Sequence, residues 1–136
     1  MKEGILGPKV ENVGIAIVQE VLESGDKGYA VYLLNYRDDI IEGIIITSKG
    51  YGAHPTSGEQ VKTSSLRHGV ELLLPNEGAR LEPIMEEMFG LTNEFHVSFW
   101  INELMYDKKY IFLPDTVSEE NMIEIPYLDK KGVLIK

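Results

Sequence analysis

Three histidines are the imidazole side chains that the chain offers for proton transfer or metal binding. His54 and His68 lie in a segment rich in glycine and hydroxyl residues, and His96 lies in a later apolar segment. A zinc site needs about three or four ligands held about 2 Å from the ion, at a spacing that lets them converge. These histidines show no such spacing, so we expect no metal site, and no other motif indicates a cofactor.

The motifs of common enzymes are absent. Without cysteine there is no thiol nucleophile and no thiolate metal ligand. The sequence contains no Gly-x-Ser-x-Gly elbow, no His-Glu-x-x-His helix and no phosphate-binding loop ending in Gly-Lys-Ser/Thr. The adjacent acids at 38–39, 86–87 and 119–120 fall in predicted turns or at helix starts, where solvent or the helix dipole accounts for them. We therefore predict no catalytic residue.

The distribution of charge singles out one region. The 136 residues carry 22 acids, 13 bases and a formal charge of −9, which disfavours nucleic acid as a partner because a duplex repels an acidic surface. Residues 43–70, however, contain a single acid, Glu59, against Lys49, Lys62 and Arg67. The same stretch holds five glycines and seven serines or threonines.

Cations, hydroxyl donors and a glycine-flexed backbone together are typical of a site for anions. We therefore predict a surface at residues 49–68 that binds a small anionic ligand or an acidic protein segment. The predicted binding residues are Lys49, Tyr51, His54, Lys62, Ser64, Arg67 and His68. The alternative is an exposed hairpin whose cations pair with acidic neighbours across strands.

The elements that position these residues are short strands. Segments rich in valine, isoleucine and aromatic residues, each bounded by turn-forming residues, predict the strands. These segments are 12–23, 29–37, 40–48, 61–67, 70–74, 79–82, 95–102, 109–113, 123–128 and 132–135. A break at His68-Gly69 is expected to separate two of them. One short helix is predicted near 83–89, because a proline lies near the start of this segment and a glycine follows its end. The pattern predicts an all-β protein, a two-sheet antiparallel sandwich in a single domain of residues 1–136. Its expected core is Ile15, Ile17, Val31, Leu33, Ile44, Ile46, Phe95, Val97, Phe99 and Ile111.

The segment Leu91-x-x-x-Phe95-x-Val97-x-Phe99, entered from the predicted helix, resembles the crossing into the sixth strand of immunoglobulin-like and fibronectin type III-like domains. The resemblance covers about forty residues and implies an Ig-like general layout. In the C-terminal arm, residues 118–136, the segments 123–128 and 133–135 are too apolar for a solvated tail. We expect them either to close a sheet or to form a homo-oligomer interface through residues 123–135.

These observations favour a non-catalytic binding or assembly module in the cytoplasm. No apolar stretch long enough for a signal peptide follows Met1, and no stretch is long enough to span a membrane. Two alternatives stay open. One is a small hydrolase or carbohydrate-processing enzyme that uses an acid with His54 or His68, and this predicts a pocket with a histidine bonded to a carboxylate. The other is a structural subunit of a homo-oligomer.

Overall fold

The computed structural model describes residues 8–53 and 56–136. Ten strands form two antiparallel sheets that pack face to face, which confirms the predicted all-β sandwich. The first sheet has the order β6-β2-β1-β10-β9; in the second, β4 and β5 both pair with one edge of β3, which is followed by β7 and β8. The strands are β1 Val13–Val21, β2 Lys27–Asn35, β3 Ile41–Ala53, β4 Gln60–Lys62, β5 Leu66–Leu73, β6 Glu77–Pro83, β7 Thr92–Ile101, β8 Leu104–Phe112, β9 Ile123–Glu124 and β10 Lys131–Ile135. In the first sheet β1, β2 and β6 are neighbours, and in the second β3, β7 and β8 are neighbours; the Ig-like general layout stays a prediction.

The core between the sheets follows from the alternation of side chains along each strand. Ile15 and Ile17 of β1, Ile44 and Ile46 of β3, and Phe95 of β7 are at most 2% exposed. The other predicted core residues are buried as well, with one exception. Ile111 is 40% exposed, and its prediction as core was wrong.

The error at Ile111 is one of strand register. β8 pairs with β7 so that Tyr110 lies opposite the inward Phe95, and Ile111 lies opposite the outward Glu94. Tyr110 and its neighbour Phe112 therefore fill the core, each 1% exposed. The buried Tyr110 hydroxyl donates a hydrogen bond to the Val13 carbonyl at 2.6 Å, and burial raises the pKa of its phenol.

The C-terminal segment closes the first sheet. β10 pairs with β1, and β9 pairs with β10, so β10 is bonded on both sides. Ile125, 2% exposed, packs with Ala16, Val18 and Leu34 in a second apolar cluster on the outer face of this sheet. Within the described residues, the only free strand edge in 123–135 is that of the two-residue β9, so backbone pairing with a second copy could occur only there. The homo-oligomer contact through 123–135 stays a prediction.

Two further details differ from the sequence-based expectations. The predicted helix is a short 3-10 helix, Glu86–Gly90, and a second 3-10 helix spans Glu119–Asn121. The predicted break at His68-Gly69 is wrong, because β5 runs through both residues. The break lies at residues 63–65, where Thr63 holds the chain against β3: its hydroxyl accepts the Gly50 N–H at 2.7 Å and its own N–H donates to the Gly50 carbonyl at 2.8 Å.

In the part of the chain that the structure describes, no helix has the length and apolar character needed to cross a membrane.

Candidate functional site

Four of the predicted binding residues share the outer face of the second sheet. In β3 the buried positions Ser48 and Gly50 are on the inner side of the sheet, so the side chains of Lys49 and Tyr51 face outward. Lys62 of β4 lies directly opposite Tyr51, and Arg67 of β5 lies opposite Thr47, also an outward position. Paired residues of an antiparallel sheet project to the same side. The register thus gathers Lys49, Tyr51, Lys62 and Arg67 on one surface.

The next two strands extend this surface. Glu94 of β7 lies opposite Lys49, and His96 lies between Thr47 and Lys109 of β8. Together these side chains surround a shallow hollow of about 350 Å³. We call this surface the cationic face and define it by Lys49, Tyr51, Lys62, Arg67, Glu94, His96 and Lys109.

Glu94 occupies the centre of the cationic face. Its carboxylate accepts a hydrogen bond from the Tyr51 hydroxyl at 3.1 Å, and the ammonium groups of Lys49 and Lys109 lie 3.6 Å and 3.9 Å from it. Its side chain is 11% exposed, against 37% for Lys49 and 55% for Lys109. Desolvation, and then the hydrogen bond and negative charge of Glu94, raise the pKa of the Tyr51 phenol. The phenol therefore stays a neutral donor to the carboxylate.

The cationic face has more positive than negative charge. Glu94 is the only acid among the residues lining its hollow. Lys62 and Arg67 are exposed and form no ion pair with any described residue. Farther along the same face, Asp107 lies 3.8 Å from His96. Two of the four cations of this face, Lys49 and Lys109, thus lie beside the Glu94 carboxylate. The other two, Lys62 and Arg67, share the face and have no acidic partner in the described chain.

The remaining predicted binding residues lie elsewhere. His54 is outside the described residues. His68 lies opposite Ile46 and faces inward, toward the first sheet, and Ser64 lines a pocket on that inner side. The stretch 49–68 therefore contributes to two separate places on opposite sides of one sheet.

The inner place is a pocket where β5 of one sheet approaches β6 of the other. His68 Nε2 lies 2.5 Å from Oε1 of Glu82, and the Ser48 hydroxyl donates to the same carboxylate at 3.0 Å. The Glu82 side chain is 12% exposed and that of His68 is 26% exposed. We call this place the edge pocket, and His68 borders it through its contact with Glu82. The lining residues are Ser48, Lys49, Gly50, Thr63, Ser64, Leu66, Glu82, Pro83, Ile84, Met85, Met88, Asn93 and Phe95.

A β-bulge aims Glu82 into the edge pocket. Ala79 of β6 pairs with the inward Leu33, and strict alternation would next place Leu81 inward and Glu82 outward. The register instead shifts between Val31 and Tyr32, so Glu82 lies opposite the inward Val31. One extra residue on β6 thus reverses the direction of Glu82 and brings its carboxylate between the sheets.

The walls of the edge pocket are mostly apolar. Its volume is about 300 Å³, and its lining includes Phe95 from the core and Ile84, Met85 and Met88 around the 3-10 helix. Gly50 forms part of the floor: a Cβ atom there would lie 3.0 Å from Cε of Met88 and 3.3 Å from Oδ1 of Asn93. Leu66 and Met85 stay 49% and 67% exposed at its rim.

The bonding order in the edge pocket differs from that of a nucleophilic triad. In a triad the imidazole lies between the hydroxyl and the carboxylate and takes the proton of the hydroxyl. Here Glu82 lies between Ser48 and His68, and both bonds end on the carboxylate. Glu82 is also the only acid among the lining residues, whereas glycoside hydrolysis uses two carboxyl groups. The histidine–carboxylate bond that the hydrolase hypothesis predicted is present, and the Ser48 hydroxyl bonds to the carboxylate rather than to the imidazole.

No group of three or more histidine, aspartate and glutamate side chains within the described residues could hold a metal ion. The polar clusters of both places consist of hydrogen bonds and ion pairs.

Five residues of these two places were missed by the sequence analysis. Glu94, His96 and Lys109 reach the cationic face from strands that come much later in the chain. Ser48 and Glu82 meet only because of a bulge. The one signal that the sequence offered was the alternation in β7. It placed the His96 side chain on the other face of the strand from Phe95 and Val97 but did not show which residues of other strands lie beside it.

Comparisons of the chain with models of protein families, with curated proteins and with solved structures yield no match.

Proposed function

We propose that the protein is a non-catalytic, cytoplasmic binding module whose cationic face binds an acidic segment of a partner protein. The observation that carries the proposal is that the registers gather four basic side chains on one face of the second sheet, where Glu94 is the carboxylate that two of them contact. Lys62 and Arg67 have no acidic partner among the described residues, so their charge is available to a ligand.

The spread of the cations favours an extended segment over a single small anion. Lys62 and Arg67 lie at one edge of the sheet and Lys109 lies on β8 at the other edge, three strand spacings or about 14 Å apart. Lys62 and Arg67 are separated by four residues along β3, about 13 Å. One phosphate-sized ion cannot contact all of them, but carboxylates spaced along an extended chain can.

The acidic charge of the whole protein is compatible with this proposal. At physiological ionic strength the Debye length is about 8 Å, so charges on the far side of the molecule are screened from a ligand on the cationic face. The local excess of cations then dominates the attraction. For the same reason, binding should weaken as the salt concentration rises.

The test uses the peptide (Glu-Gly)₅ as a probe, followed through the methyl signals of Thr47 and Ile111, which flank the hollow. We expect saturable shifts of these signals and no response to (Lys-Gly)₅. The triple variant Lys49→Glu, Lys62→Glu and Arg67→Glu should lose binding at least about tenfold, as expected when several charge contacts become repulsive.

The matched control is the triple variant Lys9→Glu, Lys131→Glu and Lys136→Glu, which changes the net charge equally at exposed positions away from the cationic face. It should bind the peptide with nearly unchanged affinity. Equal losses in the two triple variants would overturn the proposal, since they would show a response to net charge alone. Inorganic phosphate that binds as tightly as the peptide would instead assign the face to small anions.

A further inference from the structure

The edge pocket contains a mostly buried carboxylate that lacks a permanent cationic partner. Within the described chain no lysine or arginine pairs with Glu82, and His68 neutralises its charge only when the imidazole is protonated. An ionised carboxylate removed from water is costly unless a cation or several hydrogen bonds compensate it. Ser48 and His68 each supply one hydrogen bond, both to Oε1, and neither brings a permanent charge. The electrostatics of the pocket therefore favour a ligand that brings positive charge.

The carboxylate also has unused acceptor capacity. Each ionised carboxylate offers about four lone-pair positions. Both short contacts, from Ser48 at 3.0 Å and from His68 at 2.5 Å, are made to Oε1, while Oε2 receives only a 3.3 Å contact from the same Ser48 hydroxyl. Because Glu82 lines the pocket, this second oxygen can accept a hydrogen bond from a donor inside it.

The rest of the pocket suits an unbranched apolar chain. Met85 and Met88 are flexible and polarisable, which lets them adapt to a ligand, and both stand beside the hydrophobic Ile84. Met85 and Leu66 are 67% and 49% exposed, so neither side chain is packed into the core and both can contact a ligand. A volume of about 300 Å³ corresponds to about ten water volumes, enough for a ligand of fewer than ten non-hydrogen atoms.

We propose that the edge pocket binds a small primary ammonium compound, with the ammonium group donating to Glu82 and an aliphatic chain between Leu66, Met85 and Met88. This site is separate from the cationic face and does not depend on its function. The pocket opens on the inner side of β3 and the face lies on its outer side; Lys49 lines both, but its ammonium group lies on the outer side, 3.6 Å from Glu94.

The experiment compares three probes of equal chain length: n-pentylammonium, n-pentanol and n-pentanoate. Binding at pH 7.5 is followed through the methyl signals of Ile84, Met85 and Met88. We expect saturable shifts with pentylammonium, binding of pentanol at least about tenfold weaker because it lacks the charge, and no binding of pentanoate. Equal affinity for pentylammonium and pentanol, or shifts scattered over the whole surface, would overturn the proposal.

Two variants locate the effect. Glu82→Gln keeps the shape of the side chain and removes its charge, so it should bind pentylammonium no better than pentanol. Its control is Glu20→Gln, which changes an equally buried carboxylate, 14% exposed and paired with Arg80 on the first sheet, and should retain the preference. Loss of the preference in both variants would contradict a site at Glu82.

A variant of the floor keeps the proposal testable if Glu82→Gln does not fold. Gly50→Ala places a methyl group about 3 Å from Met88 while leaving the Ser48–Glu82–His68 contacts in place. This variant should weaken the binding of pentylammonium and of pentanol to a similar degree, because it reduces the volume of the pocket and leaves the charge of Glu82 unchanged. Unchanged affinity for both probes would place the ligand elsewhere.

Discussion

The cationic face and the edge pocket share strands β3, β5 and β7 but have opposite electrostatics. On the outer side of β3, exposed lysines surround one carboxylate that several groups share. On the inner side, one residue away along the chain, a mostly buried carboxylate has a hydroxyl and a titratable imidazole as its partners. The comparison shows how the two-residue period of a strand divides a single segment of sequence into two sites with different ligands.

The largest difference between the two places should appear in stability. Glu82→Ala leaves the buried Ser48 hydroxyl without its acceptor and removes the bond to His68, which should cost about 2–3 kcal/mol of unfolding free energy. Glu94→Ala removes the Tyr51 hydrogen bond and two contacts with partly exposed lysines, all from groups that can turn to water, and should cost about 1 kcal/mol or less. Urea unfolding of both variants measures the difference. Equal losses would show that the two carboxylates are bonded alike.

Residues 63–65, which connect β4 to β5, border both the edge pocket and the cationic face, so a change there should affect both places. Thr63→Val keeps the shape of the side chain but removes the oxygen that accepts the Gly50 N–H at 2.7 Å. We expect a loss of about 1–2 kcal/mol of unfolding free energy, since a mostly buried donor then lacks a partner. Ser64 lines the edge pocket and Ser65 lines the hollow of the cationic face. Methyl signals of Met88 inside and Thr47 outside should therefore both shift, and a response on one side alone would contradict a shared link.

Titration of Tyr51 distinguishes the two carboxylates. Desolvation and Glu94 together raise the pKa of this phenol, so it should release its proton at a higher pH than an ordinary tyrosine. Glu94→Gln removes the negative charge and should lower the Tyr51 pKa toward its ordinary value. Glu82→Gln, on the other side of the sheet, should leave it unchanged. The Cζ chemical shift of Tyr51, followed by NMR against pH, reports both results. A Tyr51 pKa that Glu94→Gln does not lower would contradict the hydrogen bond.

The smallest expected effect on stability belongs to the exposed cations. Lys109→Met breaks a 3.9 Å contact with Glu94 in which the lysine is 55% exposed, so the unfolding free energy should change by about 0.5 kcal/mol or less. The same variant should measurably weaken binding of (Glu-Gly)₅, because it removes one charge from the face. A variant with lower stability and unchanged peptide binding would show that Lys109 has a structural role only.

Much of the fold followed from the sequence because burial imposes a period of two on the strands. Ile15 and Ile17, or Phe95 and Val97, alternate so regularly that the inward side of each strand was evident. Alternation failed at Ile111 because isoleucine lies between two aromatic residues, and the sequence alone did not show which set faces the core. The pairing with β7 determines this, and pairing depends on distant residues.

The candidate site was only partly accessible from the sequence. The charge distribution pointed to the region of Lys49, Lys62 and Arg67, because composition is a local property. It could not indicate that Glu94 and Lys109 join them, since those contacts depend on the order of strands in the sheet. It also could not indicate that Glu82 faces His68, because that direction depends on one extra residue in β6.

The most direct test of the account is one titration that observes both sides of β3 in a single methyl-labelled sample. We predict that (Glu-Gly)₅ shifts the methyl signals of Thr47 and Ile111 and leaves those of Ile84 and Met88 in place. In the Lys49→Glu, Lys62→Glu, Arg67→Glu variant the same peptide should cause no shift at Thr47 and Ile111. The signals of Ile84 and Met88 should have the same positions in the variant as in the original protein, which shows that the fold is intact. Peptide-induced shifts at Ile84 and Met88, or undiminished shifts at Thr47 and Ile111 in the variant, would contradict the assignment of the cationic face as the binding surface.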